Sequence, residues 1–89
     1  MQTHEQEELL TKEVIRDSHE LVLFNDDVNT FDHVIDCLVS ICNHSTTQAE
    51  QCAYIVHYKG QCTVKKGSTE KLEPMLVALQ MQELSAKIK

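Results

Sequence analysis

The chain contains no tryptophan and only two phenylalanines and two tyrosines. With 42% of its residues apolar, its interior must therefore be mostly aliphatic. Basic residues are also scarce: eight Lys and Arg against 14 Asp and Glu leave a formal net charge of −6 at pH 7. Nucleic acid and anionic lipid surfaces carry the same sign, so Coulomb repulsion disfavours both and a cationic ligand is better matched. No apolar run approaches the roughly 20 residues needed to cross a bilayer, and the first residues lack the apolar core of a signal peptide. A soluble, cytoplasmic protein is expected. The four cysteines (Cys37, Cys42, Cys52, Cys62) form no C-x-x-C pair; in a reducing compartment they read as small buried hydrophobes. There is no internal repeat, linker or low-complexity tract, and 89 residues suffice for one small domain.

What is present reads as a short series of elements. Residues 1–18 are polar and charged, and a flexible tail is expected there, with the domain occupying 19–89. His19 to Phe24 carries Leu21, Val22, Leu23 and Phe24 without alternation, the pattern of a central strand buried on both faces. Phe31, Val34, Ile35, Leu38 and Cys42 then fall on one helical stripe. Asn29 is the expected N-cap, with Asp32 as its capping-box partner, and the helix should run from about Thr30 to His44. Ser45 with Gln48, or Thr47 with Glu50, starts a second helix whose buried stripe is Ala49, Cys52, Ala53 and Val56. Gly60 is its expected left-handed terminator, which puts His57 in the last turn. Gln61 to Lys66 alternates as a strand, with Cys62 and Val64 opposite Thr63 and Lys65. Ser68 can cap a third helix with Leu72, Met75, Leu76, Leu79 and Met81 on its apolar side, although Pro74 should bend or delay its first turns. Leu84, Ala86 and Ile88 alternate with lysines in a final edge strand. The fold class is thus α/β in the broad sense and α+β in the strict one: a single small β-α-α-β-α-β domain with a three-stranded antiparallel sheet packed against helices.

The chemistry concentrates where the first strand meets the first helix. Asn25, Asp26 and Asp27 form a polar elbow beside an apolar interior, the setting for a small pocket that needs both hydrogen bonds and hydrophobic walls. Taken singly, these residues have blander readings: a turn with helix-capping acids for Asn25 to Asp27, a surface or core histidine for His57, plain core for Phe31 and Val34. A nucleophilic Cys52/His57 pair is poorly supported, because a five-residue spacing does not share a helical face and no third orienting group is evident. His33 and Cys37 do share a face at i, i+4, but two ligands do not make a metal site.

Phe24-Asn25-Asp26-Asp27, the capped helix carrying Val34-Ile35-Asp36, and Val56-His57-Tyr58-Lys59-Gly60 together resemble ClpS, the adaptor family that delivers N-end-rule substrates to the Clp AAA+ protease. The resemblance runs from about Leu21 to the C-terminus. It implies a non-catalytic adaptor, without cofactor or metal, that holds the first residue of a substrate, usually Leu, Phe, Tyr or Trp. By that resemblance Asn25, Asp26 and His57 contact the substrate's amino terminus. Phe31, Val34, Ala53, Val56 and Leu84 form the pocket wall, and Asp27 lines the mouth. Glu70 belongs to the surface facing the unfoldase, whose ClpA- or ClpC-type N-terminal domain is the implied partner. Nucleic acid and membrane are not expected partners, and a monomer is expected. Where many members read T-P-M-E this chain reads Asn29-Thr30-Phe31-Asp32, and a family methionine on the second helix becomes Ala53. The alternative is an interaction domain of similar topology without such a pocket, like a ribosomal-stalk module. The intact Asn25/His57 pair argues against it.

Overall fold

The structure, a computed structural model, describes residues 18–89. The expected tail over 1–18 therefore lies outside the described residues, apart from Ser18. The elements are β1 (His19–Phe24), α1 (Phe31–Cys42), α2 (Thr46–Lys59), β2 (Gln61–Gly67), α3 (Thr69–Met81) and β3 (Ser85–Ile88). The three strands form one sheet in the order β2-β1-β3, antiparallel at both junctions. The unbroken apolar run of β1 lies on the middle strand, where Leu21, Val22 and Leu23 are at most 2% exposed.

In β2 Cys62 and Val64 both pack at the core as expected, but its ladder against β1 carries an irregularity that the alternation did not announce. Leu21 lies opposite Lys65 but Val22 opposite Thr63, so Val64 is an extra residue in the ladder. A bulge re-aims the side chain it adds, and Val64 ends up buried in the core. The alternation expected for β3 holds, with Leu84 and Ala86 buried and Lys87 exposed.

Each helix starts on a hydroxyl. Thr30, Ser45 and Ser68 hold extended backbone and accept from the amides of His33, Gln48 and Lys71 respectively. The expected cap at Asn29 is one residue early, because the Asn29 side chain is engaged elsewhere. The first helix also stops before His44: Asn43 takes the left-handed conformation (φ 60°) and ends it at Cys42. His44 turns inward instead, is 5% exposed and donates from Nε2 to the Val64 carbonyl at 2.7 Å. Pro74 neither delays nor interrupts α3, which begins directly after Ser68. The proline leaves free the carbonyl of Glu70, an exposed residue that water can serve. Met81 is 77% exposed and lies off the apolar side.

The core is aliphatic, as the composition requires. Leu21, Leu23, Leu38, Leu72 and Leu79 are its largest fully buried side chains, joined by Cys42, Cys52 and Val56 from the helices. Alternation puts Leu21 and Leu23 on one sheet face, and all three helices pack there. Truncating Leu72 to Ala should therefore cost about 2–5 kcal/mol, read by urea denaturation. That is a large share of the roughly 5–15 kcal/mol that holds a small domain together. The four cysteines are free thiols. Burial pushes the Cys42 thiol up to about 11; burial, reinforced by the neighbouring Cys62 thiol, pushes Cys52 up to about 12. A thiol so shifted stays protonated at neutral pH and is a poor nucleophile.

Candidate functional site

Three connections meet beside the C-terminal end of β1. The first is the elbow after Phe24, where the Asn25 amide donates to the Gly60 carbonyl at 2.9 Å. This bond ties the elbow to the end of α2. It depends on Gly60 reversing the chain at φ 91°, a conformation that side-chain-bearing residues rarely adopt. The second is the turn around Asp26. Its Oδ1 accepts from the Val28 and Asn29 amides at 3.0 and 2.9 Å, and both carboxylate oxygens accept from Asn29 Nδ2 at 3.0 and 2.8 Å. The third is the α3–β3 connection. Asn29 Nδ2 also donates to the Glu83 carbonyl at 2.9 Å, and His33 Nε2 lies 2.9 Å from the Gln82 carbonyl. Together these bonds hold Leu84 against the elbow.

Burial alone would raise the Asp26 carboxyl. The hydrogen bonds from Asn29 and Val28 outweigh it and hold the group below its ordinary value. Asp26 is thus an anion at neutral pH. Its oxygens already serve several donors, so its main contribution to a ligand is negative field.

Between these segments lies a cavity of about 360 Å³, counted with its open mouth. Its lining contains Asn25, Asp26, Phe31, Val34, Ala53, Val56, His57 and Leu84, the residues that the family resemblance implies there. Leu23, Phe24 and Asn29 also line it and were not expected to. The spacing of Asn29 from Asp26, which suits an Asx turn, is the one local signal that pointed to it. Asp27 does not line the cavity, contrary to expectation: the turn closed by the Asp26 carboxylate leaves Asp27 exposed outside it. Glu70 stands exposed in the first turn of α3, apart from the cavity.

Ala53 and Val56 are buried and form the inner wall, while Phe31, Asn25 and His57 are exposed at the mouth. The Phe31 and His57 rings touch, with centroids 5.0 Å apart. Neither the Asn25 carboxamide nor the His57 imidazole has a hydrogen-bond partner among the described residues. Two polar groups able to accept hydrogen bonds thus sit uncommitted on the rim of an apolar socket, with a carboxylate close behind them. That arrangement suits a ligand with a positive, hydrogen-bond-donating head and an apolar body. Among the described residues no group of three His, Cys, Asp or Glu could hold a metal ion. No helix there is long and apolar enough to cross a membrane.

Comparison with known proteins gives three findings. Residues 15–87 match the family described as ATP-dependent Clp protease adaptor protein ClpS. An ATP-dependent Clp protease adapter protein ClpS of Thermosynechococcus vestitus is 39% identical over 57 residues, which are 63% of this chain and 61% of that relative. The structure of Agrobacterium tumefaciens ClpS2 bound to L-phenylalaninamide aligns with a TM-score of 0.76 at 16% identity, over 82% of this chain and 95% of the other. At that identity the likeness establishes a common fold.

Proposed function

The chain belongs to the ClpS family of ATP-dependent Clp protease adaptor proteins, and from that membership we propose that it captures proteins by a free amino terminus bearing a bulky hydrophobic first residue. It then presents them to a Clp AAA+ unfoldase. The observation that carries this reading is the pair Asn25 and His57, without a side-chain hydrogen-bond partner among the described residues, at the mouth of the cavity lined by Phe31, Val34, Ala53, Val56 and Leu84. An unmodified chain start is the one place in a polypeptide where an ammonium adjoins a side chain. L-phenylalaninamide, the ligand bound to the Agrobacterium ClpS2, has this form: a free ammonium, a benzyl group and an amide where the chain would continue.

The roles follow from the chemistry of each group. The Asn25 carboxamide can accept from the ammonium and donate to the first carbonyl. The His57 imidazole accepts from the ammonium while neutral, and Asp26 supplies negative field. Burying one large apolar side chain contributes roughly 1.5–3 kcal/mol, and each charge-assisted hydrogen bond about the same. Two or three such bonds, less the ordering of a flexible peptide, reach about micromolar affinity. The adaptor has no catalytic step of its own and works as a cytoplasmic monomer without cofactor. Its exposed Glu70 faces the N-terminal domain of a ClpA- or ClpC-type unfoldase.

The test is fluorescence anisotropy with labelled peptides that differ only in their first residue. Those starting with Leu, Phe, Tyr or Trp should saturate at about micromolar concentration. Those starting with Gly or Asp should not saturate at about a hundredfold more. Equal curves for the two groups would refute the reading.

A further inference from the structure

All four aromatic residues of this chain gather at the site, and none is in the fully buried core. Phe24 and Phe31 line the cavity, while Tyr54 and Tyr58 stand outside it. Phe31, Tyr54, Tyr58 and His57 close into a cycle. Phe31 meets Tyr54 at 5.6 Å between centroids, and Tyr54 stacks on Tyr58 at 5.5 Å with 20° between planes. Tyr58 meets His57 edge to face at 4.9 Å, and His57 returns to Phe31 at 5.0 Å. Three of the rings come from α2 at i, i+3 and i+4, spacings that share one face of a helix. The fourth is the first residue of α1.

Closure of the cycle matters because, among the described residues, these ring contacts brace the two rings at the cavity mouth. The His57 imidazole has no hydrogen-bond partner among the described residues, so ring packing sets its direction. Phe31 is 39% exposed at a helix start, braced by the His57 and Tyr54 rings. Tyr54 is 59% exposed and is not among the core residues, and the rings it meets are Phe31 and Tyr58. Ring pairs of this geometry are attractive beyond the area they bury.

We propose that Tyr54 is a positioning residue for first-residue selection: it holds the Phe31 ring as a fixed wall of the cavity and, around the cycle, keeps the His57 imidazole in place. The inference rests on the amino-terminus reading of the cavity. Without the Tyr54 ring, Phe31 can rotate toward solvent. The mouth then widens, and the largest first residues gain relative to leucine.

The experiment uses the full chain as wild type, Tyr54→Ala and Tyr54→Phe, with peptides starting with Leu, Phe and Trp. It is read by anisotropy and by the proton shifts of the His57 ring in NMR. Tyr54→Ala should move the Leu-to-Trp affinity ratio by about fivefold toward Trp, and shift the His57 ring protons. Tyr54→Phe, which keeps the ring, should leave the ratio within about twofold. If Tyr54→Ala lowers the melting temperature, Tyr54→Leu carries the same test without a ring. Tyr54→Ala binding all peptides in the wild-type ratio would overturn the proposal, as would Tyr54→Phe behaving like Tyr54→Ala. If the wild type binds none of the peptides, it is the amino-terminus reading that fails. Unchanged His57 ring shifts in Tyr54→Ala would then overturn the brace on their own.

Discussion

Acetylating the amino terminus of a phenylalanine-starting peptide should abolish its binding. The modification leaves the benzyl group, the cavity and the rest of the peptide as they were, and converts a charged ammonium into a neutral amide. Two charge-assisted hydrogen bonds, to the Asn25 carboxamide and the His57 imidazole, are lost together with the attraction of the Asp26 carboxylate. At about 1.5–3 kcal/mol per bond, the loss is on the order of a hundredfold to ten-thousandfold in affinity. The acetyl group must also fit where the rim residues already stand. Competition anisotropy with matched free and acetylated peptides gives the answer directly. Matching affinities would mean that the cavity reads only an apolar side chain, and the polar rim would lose its assigned role.

Replacing His57 with Ala should weaken binding about 10- to 100-fold while leaving the fold intact. The position is exposed in the last turn of α2, and alanine is the best helix former, so circular dichroism and the melting temperature should barely move. Two effects add at the site. The ammonium loses one acceptor, and Phe31 loses one of the two rings it packs against. Asn25 and Asp26 remain, so binding should be diminished rather than absent. A dissociation constant equal to that of the wild type would take His57 out of the site and leave Asn25 and Asp26 to account for it.

The order of elements was legible because each is written in a local pattern. The continuous apolar run Leu21–Phe24 meant a central strand, and it is one. The stripe Val34, Ile35, Leu38, Cys42 meant a helix, and Gly60 ended another where expected. What failed was whatever distant contacts decide. Asn29 and Thr30 are both good caps, and only the bonds of Asn29 to Asp26 and to Glu83, 54 residues away, show why Thr30 takes the role. The inward turn of His44 depends on a carbonyl of β2, and the bulge at Val64 on its register against β1. The cavity residues came mainly from a family resemblance. Spacing alone would not have joined Asn25 to His57, because the bond from Asn25 to Gly60 that brings them together joins two backbones and leaves no mark on side-chain identity. Asp27, absent from the cavity lining, sits inside a turn whose shape is set by its neighbour's carboxylate.

The crowding of aromatics at the rim has an optical corollary. With no tryptophan in the chain, ultraviolet emission is dominated by Tyr54 and Tyr58, and both stand beside the mouth. Intrinsic fluorescence and near-ultraviolet dichroism are therefore a built-in, label-free gauge of occupancy, and they report almost nothing about the aliphatic interior.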